Sequence, residues 1–436
     1  MRPIIFTSFR HTISVQLSTL FLAALLLGFQ NVKAAFFQQE ESQNYEQYKG
    51  VVKDSESKDI LVFATIAIEG TNISVITNTE GEFLLKVPSS MTDARVRISH
   101  LGYDDKIIPL SELKSSNNKI YLDIAVTELS EVEISMPKDA AEVVRKALSK
   151  KGDNYLGDHS IMTAFYRESI KKRRRNVSLS EAVVNIYKQP YSSSRKDVMK
   201  LYKARKSTDY SRLDTIALKF RGGPFNTLYI DFMKYPEFMF ENGQLDYYDF
   251  SFGRTTLINE KPVYVINFKQ RPDISLPLFY GKLYIDANTY ALTSAIYNLN
   301  VENRKEASEI FVRKKPARAE VYPTQAAYRV DYRQNDGKWY YGYSNVQMVF
   351  KVKWKNKLFS STYAISGEMA ITDWKKNTAK EFVQPRERLR PSVVLSDEVS
   401  GFSDPNFWGD YNVIEPEKSI ETAINKIRRK LRRIKS

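Results

Sequence analysis

Catalytic residue types are scarce in this chain. Among its 436 residues there is no Cys and there are only three His. A zinc site wants three or four His or Cys ligands, so a zinc peptidase is an unpromising reading. His11 lies in the N-terminal leader described below, which leaves His100 and His159 for any Ser-His-Asp arrangement. His100 follows Val96 and Ile98 at alternate positions, the pattern of an imidazole packed on one sheet face. Carboxylates are plentiful. Asp231, Asp246 and Asp249 fall in the aromatic stretch NTLYIDFMKYPEFMFENGQLDYYDF. Two carboxyls across one cleft are the apparatus of glycoside hydrolysis, but nothing in this spacing demands it. Arg221-Gly222-Gly223-Pro224 has two glycines and lacks the Lys-Ser/Thr pair of a phosphate loop, so it reads as a tight connection.

Binding signals are richer. In Trp339-Tyr340-Tyr341-Gly342-Tyr343 the alternate members face opposite sides of a sheet. Trp339, Tyr341 and Tyr343 are thus candidates to line an apolar cavity or stack on a sugar, the plainer reading being sheet core. The run Lys171-Lys172-Arg173-Arg174-Arg175 interrupts two strand patterns and reads as a hairpin tip. Arg173, Arg174 and Arg175 are candidates to meet phosphate-rich lipid. At the C-terminal end, Ile420, Ile424, Ile427, Leu431 and Ile434 share one helical face, with Arg428 and Arg429 off that face. This basic amphipathic helix, 416–436, suits a membrane surface or a dock on the body or a partner. Pro416 and the acidic start at Glu417 favour docking.

The elements that must position these residues are mostly strands. Aromatics make up 13% of the chain, with 27 Tyr, an enrichment that favours pleated surfaces. Residues 1–34 read as a signal peptide. Arg2 and Arg10 are followed by the apolar run LSTLFLAALLLGF and the small-residue end Val32-Lys33-Ala34. The expectation is export, to the periplasm or the outer membrane as a soluble or peripheral protein, with stability from packing rather than disulfides. Net charge is +15, and about +12 remains without the leader. In the envelope such a balance suits an anionic lipid, lipoprotein or glycan before nucleic acid.

From residue 47 to 135 short alternating segments follow one another: Ala64, Ile66 and Ile68; Phe83, Leu85 and Val87; Val96 and Ile98; Ile120, Leu122 and Ile124. Asn78-Thr79-Glu80-Gly81 marks a turn. Together these predict a small β-sandwich. The order YKGVV, FATIAIEGTNI, TNTEGEFLLKVP and RISHLGY resembles the carboxypeptidase-regulatory-like domain, a prealbumin-like seven-stranded sandwich of exported Bacteroidetes proteins. That domain is a non-catalytic appendage, so the resemblance implies no peptidase chemistry. It leaves room for a protein partner on the sandwich.

A break at Met136-Pro137 precedes a helix that Asp139 can cap and Gly152 can end. Longer strands then follow, with turns at Asp286-Ala287-Asn288-Thr289 and Asn335-Asp336-Gly337. They predict a curved antiparallel sheet over a few helices in residues 136–415. The fold class is therefore mainly β. The order FYRES, LSEAVVNIYK, GGPFNTLYIDFMKYP, YGKLYIDANTYAL and DPNFWGDYNVIEPEKSIETAINKI is similar to a Bacteroidetes group that joins this sandwich to a second domain. That domain compares with the half-barrel of lipoprotein-localisation carriers. Longer relatives add an outer-membrane barrel, and the expectation here is a role outside the membrane plane. The implied function is a cofactor-free, non-enzymatic envelope protein that holds a lipid, lipoprotein or glycan. The alternatives are a carboxylate-dependent glycan hydrolase and a structural subunit of a surface or secretion assembly.

Overall fold

The computed structural model describes residues 45–125, 137–173, 175–208, 221–240, 245–254, 256–258, 261–312, 315–355, 358–398 and 407–416. The expected signal peptide, Arg174, Arg428 and Arg429 lie outside them, as does nearly all of the expected C-terminal helix. Arg175 opens a strand, and its side chain is not among those described.

Seven strands form the first module: β1 (Tyr45–Asp54), β2 (Thr65–Ile68), β3 (Ser74–Ile76), β4 (Glu82–Pro88), β5 (Arg95–Ser99), β6 (Lys106–Pro109) and β7 (Asn118–Leu122). They make a three-stranded sheet, β4-β1-β7, facing a four-stranded one, β3-β2-β5-β6. Ala64, Ile66, Ile68, Phe83, Leu85, Val87, Val96 and Ile98 are all buried between them, as their alternation requires. Asn78 Oδ1 accepts from the backbone N–H of Glu80 and Glu82, and Gly81 takes φ 71°, a conformation costly for a residue with a Cβ. Ile124 departs from the alternation. β7 ends at Leu122, and Ile124 is 45% exposed beyond it.

The helix Ala140–Ser149 follows, with the Asp139 carboxylate accepting from Ala141 N. It ends three residues before Gly152, which falls inside the next short turn, Lys151–Asn154. Eleven strands then build one antiparallel sheet: β8 (Ser160–Lys172), β9 (Arg175–Lys188), β10 (Val198–Thr208), β11 (Tyr248–Phe252), β12 (Thr256–Ile258), β13 (Lys261–Gln270), β14 (Phe279–Asp286), β15 (Leu292–Leu299), β16 (Ala319–Asn335), β17 (Lys338–Trp354) and β18 (Ser361–Lys376). Its order is β10-β9-β8-β18-β17-β16-β15-β14-β13-β11, with β12 also on β13, so the described strands form an open sheet rather than a closed barrel. The expected turns are present. Asp336 and Gly337 take φ 47° and 75°, the signs a two-residue hairpin turn needs. Asp286 Oδ1 gathers Asn288 N, Thr289 N and Thr289 Oγ1.

One face of this sheet is covered by the chain itself. Residues 221–240 form a plug that drops Phe225, Leu228, Ile230, Phe232, Met233, Tyr235, Met239 and Phe240 onto it, and Val143, Val144 and Ala147 of the first helix join them in one core. Gly222 and Gly223 start the plug at φ 102° and 47°, the tight connection expected. A buried ionic cluster fixes it. Lys188 Nζ lies 2.7 Å from Asp197 and 2.6 Å from Asp231, and Tyr191 and Tyr332 donate to Asp231 while Tyr235 donates to Asp197.

On the same face, Glu168 accepts from the Tyr166 hydroxyl at 2.8 Å. Burial raises its pKa to about 7, and that hydrogen bond only partly offsets the burial. A carboxyl raised in the folded state stabilises fully below its unfolded pKa, and that stability is lost as pH rises through the folded value. From pH 4.5 to 7 this removes about 3 kcal/mol. Glu168→Gln is therefore expected to raise the urea midpoint at pH 8 and to flatten its slope with pH across that window. An unchanged slope would refute the assignment.

The opposite face carries the sandwich and a C-terminal strap, residues 407–416. Trp408 packs edge-on against Phe165 at 5.4 Å, in a second core with Ile76, Leu84, Val183, Tyr343, Val413 and Ile414. Asn412 pairs with both backbone groups of Lys86 in β4, Lys86 N at 2.7 Å and Lys86 O at 3.0 Å. Arg167 Nη2 reaches Ile414 O at 2.6 Å. The strap thus ties sandwich to sheet.

Candidate functional site

Where β2 and β5 of the sandwich approach β15–β17 of the large sheet, they leave a cleft of about 320 Å³. Strand alternation dictates its sandwich wall. Ile66, Ile68, Val96 and Ile98 point into the sandwich core, so Thr65, Ala67, Arg97 and Ser99 must face out. The opposite wall carries Ser294, Arg329, Asp331, Arg333 and Gln334, with Trp339 and Tyr340 nearby.

Arg97 and Arg329 are paired with carboxylates, while Arg333 is held by neutral oxygens. Arg97 bridges Glu69 at 2.7 Å and Asp105 at 2.9 Å. Arg329 Nε donates to Asp331 at 2.7 Å, Ser294 Oγ donates to the other Asp331 oxygen at 2.6 Å, and the Arg329 guanidinium sits 5.2 Å over the Phe63 ring. Arg333 crosses the seam to Ser74 Oγ and to Ile371 O at 2.9 Å. Asn72 extends that seam, donating to Trp374 O at 2.7 Å and accepting from Asn335 at 2.9 Å.

His100 lies just past the end of β5 on this cleft. Its Nε2 is 3.1 Å from Val62 O, so Nε2 carries the proton and donates. Burial lowers the pKa and the Arg329 charge lowers it further, which favours the neutral ring. His159 is exposed at the entry to β8 and does not line the cleft. Asp231 is sealed in the ionic cluster, while Asp246 and Asp249 are exposed on the surface. Among the described residues no group of three or more His, Asp or Glu gathers as metal ligands would. No helix among them is long and apolar enough to cross a membrane.

The three aromatic candidates do not line one cavity. Asp331 stands opposite Tyr343 and Tyr332 opposite Tyr341, so β17 carries one extra residue, Gly342, at a bulge. A Cβ there would lie 2.7 Å from Arg333 Cγ, so the bulge needs glycine. The bulge reverses the alternation. Tyr341 joins the plug core, donating to Thr227 O at 3.2 Å, and Tyr343 joins the strap core beside Phe63. Both are fully buried, and Trp339 keeps an edge on the cleft. Arg173 is exposed at the expected hairpin tip, at φ 57°. The cleft went unseen in the sequence because its walls come from residues some 200 positions apart.

Residues 48–134 match the family model of the CarboxypepD_reg-like domain. No curated protein matches the chain. Among solved structures, an outer membrane lipoprotein-sorting protein domain from Vibrio parahaemolyticus is similar at 16% identity and TM-score 0.25, over 56% of this chain and 95% of that one. A DUF1329 family protein from Desulfovibrio piger is similar at 10% identity and TM-score 0.23, over 56% and 96%. A LolA superfamily protein from Nitrosomonas europaea is similar at 8% identity and TM-score 0.18, over 57% and 100%. At those values the likeness carries no function across.

Proposed function

We propose that this is an exported, non-enzymatic binding protein of the cell envelope whose ligand occupies the cleft between sandwich and sheet. The observation that carries this reading is the make-up of the cleft. It combines paired guanidiniums and carboxylates, the hydroxyls of Thr65, Ser99 and Ser294, the amide of Gln334 and the edges of Trp339 and Tyr340. Such a lining suits a hydroxyl-rich or charged group, a glycan or the polar head of a lipid or lipoprotein. An acyl chain is disfavoured there, and the sheet face that could hold one is filled by the plug. That filled face also suits the second reading, a structural subunit that binds no small ligand.

Ala67 projects from the centre of β2 into the cleft, so Ala67→Trp fills it without removing a hydrogen-bonding side chain. Native mass spectrometry of the protein taken from its own envelope is expected to show a bound glycan or lipid mass. The Ala67→Trp variant should lose that mass with an unchanged melting curve. A clean apo mass for the unaltered protein would favour the structural reading.

A further inference from the structure

The end of the large sheet away from the cleft has a different character. β17 and β18 pair as far as Val352 opposite Ser361, and the turn beyond presents Leu358 and Phe359, 88% and 77% exposed. No other large apolar side chains among the described residues are as bare. They stand at a hairpin tip, where strand pairing does not require them and water does not favour them.

Basic residues surround this tip. Tyr363 of β18 stands opposite Lys172 of β8, and Arg173 N donates to Thr362 O at 2.9 Å, so the β8–β9 tip adjoins the β17–β18 tip. On the other side Ala319 stands opposite Trp354, and Lys355 N donates to Arg318 O at 2.9 Å. Arg173, Lys315, Arg318, Lys351, Lys353 and Lys355 are all exposed at this end, against Glu320 opposite Lys353. Lys351 and Lys353 share one sheet face because Phe350 and Val352, between and beside them, are buried on the other. The sandwich meets β18 near Ile371, ten residues from Ser361 and roughly 30 Å along the strand.

We propose that this end is a membrane-docking surface. Leu358 and Phe359 enter the acyl boundary of a bilayer, and the surrounding lysines and arginines lie at its anionic headgroups. The occupant is a lipid surface because two adjacent, nearly bare apolar side chains inside a cationic rim match both layers of an anionic leaflet at once. This surface shares with the cleft only its envelope setting. The two are tested by different residues at opposite ends of β18.

The test uses the purified protein without residues 1–34 and vesicles of phosphatidylcholine with or without phosphatidylglycerol. Co-sedimentation is expected with the phosphatidylglycerol vesicles and to weaken with added salt. Leu358→Ser with Phe359→Ser should reduce partitioning about tenfold or more. Lys353→Glu with Lys355→Glu should reduce it for anionic vesicles alone. Phe359→Trp should show a blue-shifted emission on binding, a readout that altered folding does not mimic. Equal binding by the unaltered and Ser-substituted proteins would overturn the proposal. So would an emission from the Phe359→Trp variant that does not move, or a chain that ignores vesicles and associates only with protein. Loss of the cleft ligand in the Ala67→Trp variant would leave vesicle binding intact.

Discussion

Replacing Lys188 with Met is expected to cost about 3–5 kcal/mol of folding stability, more than most single changes in the molecule. Lys188 is 1% exposed and its single charge is shared by two carboxylates that are as deeply buried. Burial pulls its pKa down, and the charges of Asp197 and Asp231 more than reverse that, so the ammonium is held above its usual range. Without it, two carboxylates remain in the core with three phenols and the Gln189 backbone N–H, all neutral donors, to serve them. Tyr191, Tyr235 and Tyr332 are raised by burial and by the adjacent Asp charges, so they remain protonated donors. These neutral donors do not compensate two buried charges. Asp231→Asn is expected to cost less than half as much, because one ammonium then faces one carboxylate. It should still loosen the plug, since Asp231 is the plug residue that Lys188, Tyr191 and Tyr332 hold. Urea unfolding gives the ranking, and binding of a hydrophobic dye reports an uncovered sheet face. If Asp231→Asn costs as much as Lys188→Met, the charge-balance account is wrong.

That cluster had no local signal. Lys188 closes an alternating strand, Asp197 directly precedes β10, and Asp231 is 43 positions beyond Lys188. Period two reports which side of a strand is dry and cannot report which distant charge arrives there. The same limit hid the cleft. What could be read locally was the sandwich and the turns. Ile66 and Ile68, Phe83 and Leu85, Gly81, Asp286 and Asp336-Gly337 each obey a rule spanning fewer than five residues. The basic tip at Lys171–Arg173 was legible for the same reason, because a polar run between two alternating segments has to turn. Local rules failed where one residue changes the count. Gly342 inserts a bulge and sends Tyr341 and Tyr343 to opposite faces. Leu358 and Phe359 gave no warning either, since an apolar pair between two strands reads as strand. The plug did carry an overlooked sign: eight aromatic residues or methionines lie within PFNTLYIDFMKYPEFMF, a density that belongs to a buried segment rather than a solvated loop.

Glu181→Gln is the other change expected to cost about 3–5 kcal/mol, and its consequences run to the strap. Glu181 is fully buried and takes Arg167 Nε at 2.8 Å on one oxygen and Arg205 Nε at 2.8 Å on the other. An amide removes the charge while both guanidiniums stay in the interior, with Arg167 still within 3.3 Å of Glu368. Arg167 is also the group that reaches Ile414 O, and Arg205 lies 4.9 Å from the Trp408 ring. Weakened anchors should expose residues 407–416, which hydrogen exchange would read as faster exchange in the strap than in β1 or β4. The pH dependence supplies an independent check. Burial pushes the Glu181 carboxyl up, and Arg167 and Arg205 pull it down by more, so it ends below its usual range. A depressed carboxyl contributes stability above its unfolded pKa, near 4.5, and loses it as pH falls through the folded value. Glu168 acts with the opposite sign between pH 4.5 and 7. The contribution of these two carboxyls alone peaks on the acid side of neutrality. Glu181→Gln should remove the acid limb of that curve and leave the neutral limb in place, and a variant that keeps the acid limb would show that other groups set it.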